Sequence, residues 1–268
     1  MRALMRIGFA LLVLAAVLIA LSYSMLRATG TSTAAERREV AQDTRSVPAG
    51  IEVVEVDGPI DLNLRYGATP ALQVSGEQRM LGNVEVSADG KVLQIGIRGM
   101  VLRHREPLVV DLTLPALGAV TIDGSGDSSI NGFSGDEIAV QLNGSGSVRF
   151  NGRFRTARVG LSGSGDLDVN GGAAMDRVET RLMGSGRITV VGTARELDAS
   201  TTGSGHLDAE HLRADEVTVN QSGSGDSAVQ ARSKVKVSLA GSGDVEVYGN
   251  PAERSTSRAG SGSVSYHE

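Results

Sequence analysis

A Gly-Ser-Gly triplet recurs about every nineteen residues in the C-terminal half of this 268-residue chain. Serine holds the central position in all eight copies, whose first glycines lie 18 to 21 residues apart: Gly124, Gly144, Gly163, Gly184, Gly203, Gly223, Gly241 and Gly260. Self-similarity at a fixed period is the signature of repeat architectures, in which each unit buries its apolar face only by stacking on its neighbours. We therefore predict a solenoid over residues 118–268.

Apolar and polar residues alternate on both sides of each triplet. Counted from the first glycine, positions −6, −4, −2, +4 and +6 are apolar at 31 of 40 sites, whereas −5, −3, +3 and +5 are apolar at 3 of 32. This period of two is typical of half-buried strands, whereas a helix needs a period of 3.6 and loses about 1 kcal/mol at each glycine. The pattern predicts an all-β fold, a parallel β-helix with two short strands in each coil of about 19–20 residues. The clearest inward columns are Val140, Leu142, Val148 and Phe150; Val159, Leu161, Leu167 and Val169; and Val235, Val237, Leu239, Val245 and Val247.

Glycine also predicts where each coil bends. The Gly-Ser-Gly triplet allows a tight corner with φ > 0, and its serines can form a ladder of hydroxyls from coil to coil. A second corner is expected at positions +7 and +8, as Asn131-Gly132, Asn151-Gly152 and Asn170-Gly171, while Gly192 and Gly249 keep the glycine alone.

Both ends of the solenoid need protection, because an open strand edge invites pairing with other chains. In the last copy Arg254, Thr256 and Arg258 replace the inward valines and leucines. Residues 47–117 are expected to form an N-terminal β region that caps the other end. Its predicted strands are Ile51 to Val56, Ile60 to Leu64, Leu72 to Val74, Val84 to Val86, Val92 to Ile97 and Leu108 to Leu114, with Asp89-Gly90 as a hairpin turn.

Residues 1–27 have the pattern of a targeting segment. Arg2 and Arg6 precede an unbroken apolar run over residues 7–21, which fits a signal peptide cleaved before Tyr23. Extended over residues 7–26, the segment is long enough to span a bilayer, and we favour this uncleaved inner-membrane anchor over the signal peptide and over a buried helix. The basic N-terminus then stays in the cytoplasm and the rest of the chain is extracytoplasmic. Residues 28–46 are predicted to be a polar linker.

Composition excludes several functions. The net charge of −5 supplies no basic stripe for nucleic acid. With no cysteine, the chain has no disulfide, thiolate metal site, cysteine nucleophile or lipid-modified cysteine. Tryptophan is absent and aromatic residues make up only 3%, so the core must be aliphatic.

Several segments resemble a known family. They are Val54-Glu55-Val56-Asp57-Gly58-Pro59-Ile60-Asp61-Leu62, Leu72-Gln73-Val74-Ser75-Gly76 and Val92-Leu93-Gln94-Ile95, followed by the repeated Gly-Ser-Gly-Asp. Over residues 47–266 the chain resembles the putative auto-transporter adhesin head domain, also called the head GIN domain. The resemblance implies a right-handed single-stranded β-helix of the bacterial cell envelope. It carries over no catalytic or ligand-binding residue.

Candidate sites are few. The triplets lack the lysine and helix of a phosphate-binding loop. Asp127, Asp166, Asp226 and Asp244 share position +3, and the neighbours Asp226 and Asp244 could bind a cation weakly or pair for glycoside chemistry. Other copies place serine, arginine or histidine there, which indicates solvated corner charge. Ser204, His206 and Asp208 suggest a nucleophilic set but vary freely between copies, and His104, His211 and His267 are scattered. We therefore assign no catalytic, cofactor-binding or metal-binding residue.

The sequence favours a structural or interaction module of the cell envelope, in which an anchored rod offers flat polar faces to a glycan or another envelope protein. One alternative is a carbohydrate-active β-helix enzyme, although coils of 18 to 21 residues predict no room for a cleft. Another is an accessory protein of envelope signalling.

Overall fold

The computed structural model describes residues 40–99 and 107–268, which are almost wholly β. The segment predicted to anchor the chain, residues 7–26, and His104 lie outside these residues. Within the described ranges no helix is both long and apolar enough to cross a membrane. The strands are β1 Val40–Arg45, β2 Val53–Asp57, β3 Ile60–Tyr66, β4 Ala71–Glu77, β5 Val84–Asp89, β6 Val92–Ile97, β7 Leu108–Leu114, β8 Ala119–Gly124, β9 Ser128–Gly144, β10 Ser147–Gly163, β11 Asp166–Gly184, β12 Arg187–Gly203, β13 His206–Gly223, β14 Asp226–Gly241, β15 Val245–Tyr248, β16 Glu253–Gly260 and β17 Val264–His267.

The eight triplets stack one above another, as predicted. The first glycine of each triplet pairs in register with the first glycine of the next, from Gly124 through to Gly260. Each strand from β9 to β14 begins just after one triplet, bends at the second corner and ends at the next triplet. All these neighbours pair in parallel, so the fold is an all-β solenoid of about seven turns. At about 4.8 Å per step, the eight triplets span about 34 Å.

The predicted inward columns face the core. All 31 apolar residues at these positions are buried except Val264 and Tyr266, which are half-buried at the C-terminal end. Five inward polar side chains are also buried: Ser128, Thr180, Thr201, Gln221 and Ser227. Gln221 donates its side-chain amide to the carbonyl of Gly225, across the first corner of its own coil.

The two glycines of a triplet are required for different reasons. Gly163 has φ +133°, a conformation that L side chains rarely adopt. Gly165 has no such φ, but a β-carbon there would collide with the carbonyl oxygen of Gly146 in the coil below. The serines between the glycines are exposed, and among residues 118–268 the predicted hydroxyl ladder is limited to Ser242 and Ser261, whose oxygens lie 3.2 Å apart.

Residues 47–117 extend the solenoid as well as covering its end. The six predicted strands form, as β2 to β7, and the Asp89-Gly90 hairpin joins β5 to β6. Strand β2 lies in parallel between β6 and β8, and β3 between β7 and β9. The coil made of β2 and β3 is therefore inserted between two coils that follow it in the chain. Parallel pairing continues across residue 117, the predicted boundary of the solenoid.

Antiparallel strands cover the N-terminal end. Strand β4 pairs with β7, β1 pairs with β4, and β5 pairs with β6. The linker predicted over residues 28–46 is therefore wrong for residues 40–45, which form β1. The reason is tertiary: Ala41 packs on the core, and Arg45 donates hydrogen bonds to the carbonyls of Val84 and Leu81. A one-turn helix, α1 Gln78–Leu81, also lies in this end region.

The C-terminal end is covered by polar side chains, as the sequence indicates. Arg254 lies 4.6 Å from the centre of the Tyr266 ring, and the Tyr266 hydroxyl is 2.8 Å from that of Thr256. Arg258 donates a hydrogen bond to the carbonyl of Gly262. All residues of β16 are exposed, so the last coil presents charge and not an apolar strand edge.

Candidate functional site

Three of the four aspartates at position +3 link one coil to the next through their carboxylates, whereas the exposed Asp166 makes no such side-chain contact with any described residue. Asp127 Oδ1 accepts hydrogen bonds from both the backbone N–H and the hydroxyl of Ser147, and Asp244 accepts the same pair from Ser263. Asp226 accepts the backbone N–H of Asp244. The Ser263 hydrogen bonds hold the pKa of Asp244 below its usual range. Sequence reasoning interpreted all four side chains as solvated charge, whereas the structure gives three of them a bonding role at the corner.

The structure does not assemble the other candidates into a reactive group. Ser204 is exposed at the first corner, and in the part of the chain that the structure describes, no hydrogen bond joins it to His206 or joins His206 to Asp208. Nor does any set of three or more His, Asp or Glu residues in residues 40–99 and 107–268 have the arrangement of a metal site. The contact between Asp226 and Asp244 is instead a hydrogen bond from the Asp244 backbone N–H to the Asp226 carboxylate.

A hollow of about 290 Å³ lies on the face formed by positions +3 to +7, in the C-terminal half of the rod. We call it the Ala228 hollow, because the small side chain of Ala228 leaves space among longer neighbours. Its lining is acidic and includes His206, Asp208, Glu210, Asp226, Asp244, Glu246 and Tyr248. Asp208 accepts the backbone N–H of Glu210, and Glu246 accepts the hydroxyl of Tyr248 at 2.8 Å.

A second concavity follows the second corner and shares Glu210 and Tyr248 with the Ala228 hollow. We call this concavity, of about 650 Å³, the corner groove. Its lining spans several coils: Gly172, Val191, Gly192, Thr193, Glu210, His211, Arg213, Gln230, Tyr248, Gly249 and Glu268. The sequence prediction that coils of 18 to 21 residues leave no room for a cleft is therefore too strict.

The groove arises from unequal coil lengths. Ala209 pairs with Val229, but the next pair is Arg213 with Gln230, so residues 210–212 have no partner in β14 and form a ledge at this corner. Leu212 is fully buried and holds this ledge against the core, whereas His211 is exposed. A difference of a few residues between adjacent coils is enough to form a wall.

An aromatic pair lies at the C-terminal end of the groove. Tyr248 and His267 occupy position +7 of adjacent coils, and their rings stack with centres 5.0 Å apart at 25°. The hydrogen bond to Glu246 raises the pKa of the Tyr248 hydroxyl, and partial burial with the nearby charges of Glu210 and Asp208 raises it further. This surface combines a flat ring with hydrogen-bonding groups.

Sequence reasoning missed this groove, although the sequence contains a signal for it. The +7 column begins as Asn131, Asn151 and Asn170 and then departs from asparagine in every later copy: Val191, Glu210, Gln230, Tyr248 and His267. His211 and His267, interpreted as scattered, both lie at this corner. Comparing the columns copy by copy would have located the change.

The fold matches solved structures over most of the chain. A putative adhesin from Parabacteroides distasonis is 24% identical with a TM-score of 0.75, covering 86% of this chain and 97% of that chain. A putative lipid binding protein from the same organism is 20% identical with a TM-score of 0.78, at 86% and 97% coverage. A putative adhesin from Parabacteroides merdae is 20% identical with a TM-score of 0.75, at 86% and 96% coverage. At these identities the likeness concerns the fold.

The comparison with curated proteins found no match. The sequence family described as "Putative auto-transporter adhesin, head GIN domain" matches residues 51–175 and 141–251, which together cover most of the solenoid and its N-terminal region. The chain therefore belongs to the putative auto-transporter adhesin, head GIN domain family.

Proposed function

We propose that this chain is a non-enzymatic, adhesin-like module of the bacterial cell envelope, whose rigid rod presents polar faces to a glycan or an envelope protein. The observation that carries the proposal is that three of the conspicuous acidic side chains hold adjacent coils together. Asp127, Asp226 and Asp244 accept hydrogen bonds from the next coil, so these carboxylates support the stack.

The position of the chain ends supports a role in display. Strand β1 lies at the N-terminal end of the rod, and β16 with β17 forms the last coil at the other end. If residues 7–26 anchor the exported chain in the inner membrane, the rod is attached by its end. The corner groove, in the C-terminal half, is then held away from the bilayer.

A carbohydrate-active enzyme is the second candidate, because the Ala228 hollow is concave and rich in carboxylates. Glycoside hydrolysis needs one carboxyl group that is protonated and one that is free to act as base or nucleophile. The lowered pKa of Asp244 makes that group unsuited to the role of the protonated acid, and the Asp226 carboxylate already accepts a hydrogen bond from the backbone of the next coil. These features favour binding over cleavage.

The test measures retention of the full-length chain on isolated bacterial envelopes before and after digestion of envelope protein or of envelope glycan. We expect the untreated envelopes to retain the chain and one of the two digestions to abolish retention. No retention on untreated envelopes, or retention that survives both digestions, contradicts the proposal. Release of new reducing ends from envelope polysaccharide by the wild-type chain also contradicts it, because that result indicates an enzyme.

A further inference from the structure

We propose that the corner groove binds an extended, neutral glycan chain, with one sugar ring packed against Tyr248. This inference rests on the proposed binding function and specifies its ligand and its site. Three properties of the groove support it: its shape, the chemistry of its lining and the charge beside it.

The shape suits a chain and not a small enclosed molecule. The groove is open and follows the rod axis across the coils from β11 to β17. Gly172, Gly192 and Gly249 contribute no side chains to its lining, and the ledge at Glu210 and His211 forms one wall. A linear polymer can therefore lie along the corner and contact several coils in turn.

The lining offers what a sugar ring requires. A pyranose has an apolar C–H face and a rim of hydroxyl groups that both donate and accept hydrogen bonds. The Tyr248 ring is flat, half-buried and backed by His267, so it can take the apolar face without losing much side-chain freedom. Glu210 can accept hydrogen bonds from hydroxyls, Arg213 can donate to them, and Gln230 can do both.

Other ligand classes fit less well. A peptide that binds by strand addition needs a free sheet edge, but β12, β13 and β14 are each paired on both sides. A lipid chain needs a continuous apolar surface, whereas Val191 is the exposed large apolar residue in the groove. Arg213 is the one arginine or lysine among the lining residues, which is too few for a nucleic acid.

The neighbouring charge favours a neutral glycan. Asp208, Glu210 and Glu246 line the adjoining Ala228 hollow, and within residues 40–99 and 107–268 none of the three is in an ion pair. A uronic acid or another anionic sugar in the corner groove would lie close to these carboxylates and be repelled. A neutral sugar avoids this cost.

The experiment uses the full-length chain and an array of neutral and anionic oligosaccharides. Calorimetric titration follows with the tightest neutral binder, and with the tetrasaccharide of β-1,4-linked N-acetylglucosamine as a fixed probe. The variants are Tyr248→Ala and Gln230→Ala. Tyr66→Ala is the matched control, because Tyr66 is an exposed tyrosine near the other end of the rod. Circular dichroism establishes that each variant is folded.

We expect binding to neutral oligosaccharides, an affinity about tenfold weaker for Tyr248→Ala, a smaller loss for Gln230→Ala, and no change for Tyr66→Ala. Three results would overturn the inference: no binding to any neutral oligosaccharide, tighter binding to anionic ones, or equal affinity of Tyr248→Ala and the wild type. If the chain is still retained on envelopes in those cases, the proposed binding function stands and only its assignment to this ligand and groove fails.

Discussion

Replacing the glycines of one triplet by alanine separates the two reasons why a coil can bend. In the third triplet, Gly163 has φ +133° and also approaches the Gly144 carbonyl, whereas Gly165 lacks this φ and approaches the Gly146 carbonyl and the Leu142 side chain. Ser164 between them is exposed. Because the nearest colliding atom at each glycine is a backbone carbonyl oxygen of the adjacent coil, neither clash can be relieved by moving a side chain alone.

The expected costs follow from these contacts. Inserting a methyl group into a close-packed site costs about 1 to 3 kcal/mol, which is our expectation for Gly165→Ala. Gly163→Ala adds backbone strain, which raises the expected cost to about 2 to 4 kcal/mol. Ser164→Ala should lie within about 0.5 kcal/mol of the wild type.

Thermal unfolding followed by circular dichroism measures these differences. For a domain of this size each kcal/mol lowers Tm by about 2 to 4 °C, so Gly163→Ala is expected to lose about 5 to 15 °C. The order should be Gly163→Ala, then Gly165→Ala, then Ser164→Ala with almost no loss. Equal Tm values for all three variants would refute the reasoning, because they would mean that no neighbouring coil lies against the triplet.

Two further predictions concern the strand register and the corner carboxylates. Val140→Asp should abolish the β signal in circular dichroism because it buries a charge, whereas Arg158→Asp on the outward face should leave that signal intact; equal tolerance would contradict the register. Because the folded-state pKa of Asp244 is lowered, its contribution to stability is present above the unfolded-state pKa and is lost as the pH falls through the folded-state value. Asp244→Asn should therefore lower Tm at neutral pH and make acid unfolding less steep, and an unchanged pH profile would contradict this role.

The repeat could be predicted from sequence because every coil buries its apolar side chains in the same way. Alternation fixes which side chains face the core, and the triplets fix where the backbone bends, so the columns from Val140 to Val247 are buried as expected. Local pattern and global fold agree at nearly every position in this part of the chain.

The N-terminal region shows where this reasoning ends. Its strands were predicted, but the insertion of β2 and β3 between later coils depends on contacts far apart in sequence. Strand β1 was missed because its residues, Val-Ala-Gln-Asp-Thr-Arg, are mostly polar, and it forms through its pairing with β4. Tertiary pairing overrides weak local preference at such an edge.

The corner groove was missed for a different reason. A period detects what the copies share, whereas the groove depends on how they differ: three residues of β13 that have no partner in β14, and Tyr248 and His267 where the first three copies have asparagine. The positions that all copies share determine the solenoid fold, whereas the positions that differ between copies form the candidate binding surface.

The stacking of adjacent triplets can be measured directly with paired cysteines, because the natural chain contains no cysteine. In Ser164→Cys/Ser185→Cys the two residues are on adjacent coils, about 4.8 Å apart, and in Ser145→Cys/Ser185→Cys they are two coils apart, at about 10 Å. A disulfide requires Cα atoms within about 7 Å. We predict that mild oxidation cross-links the first pair within one chain and leaves the second pair as free thiols. Cross-linking of both pairs to the same extent, or of neither, would contradict the stacked solenoid.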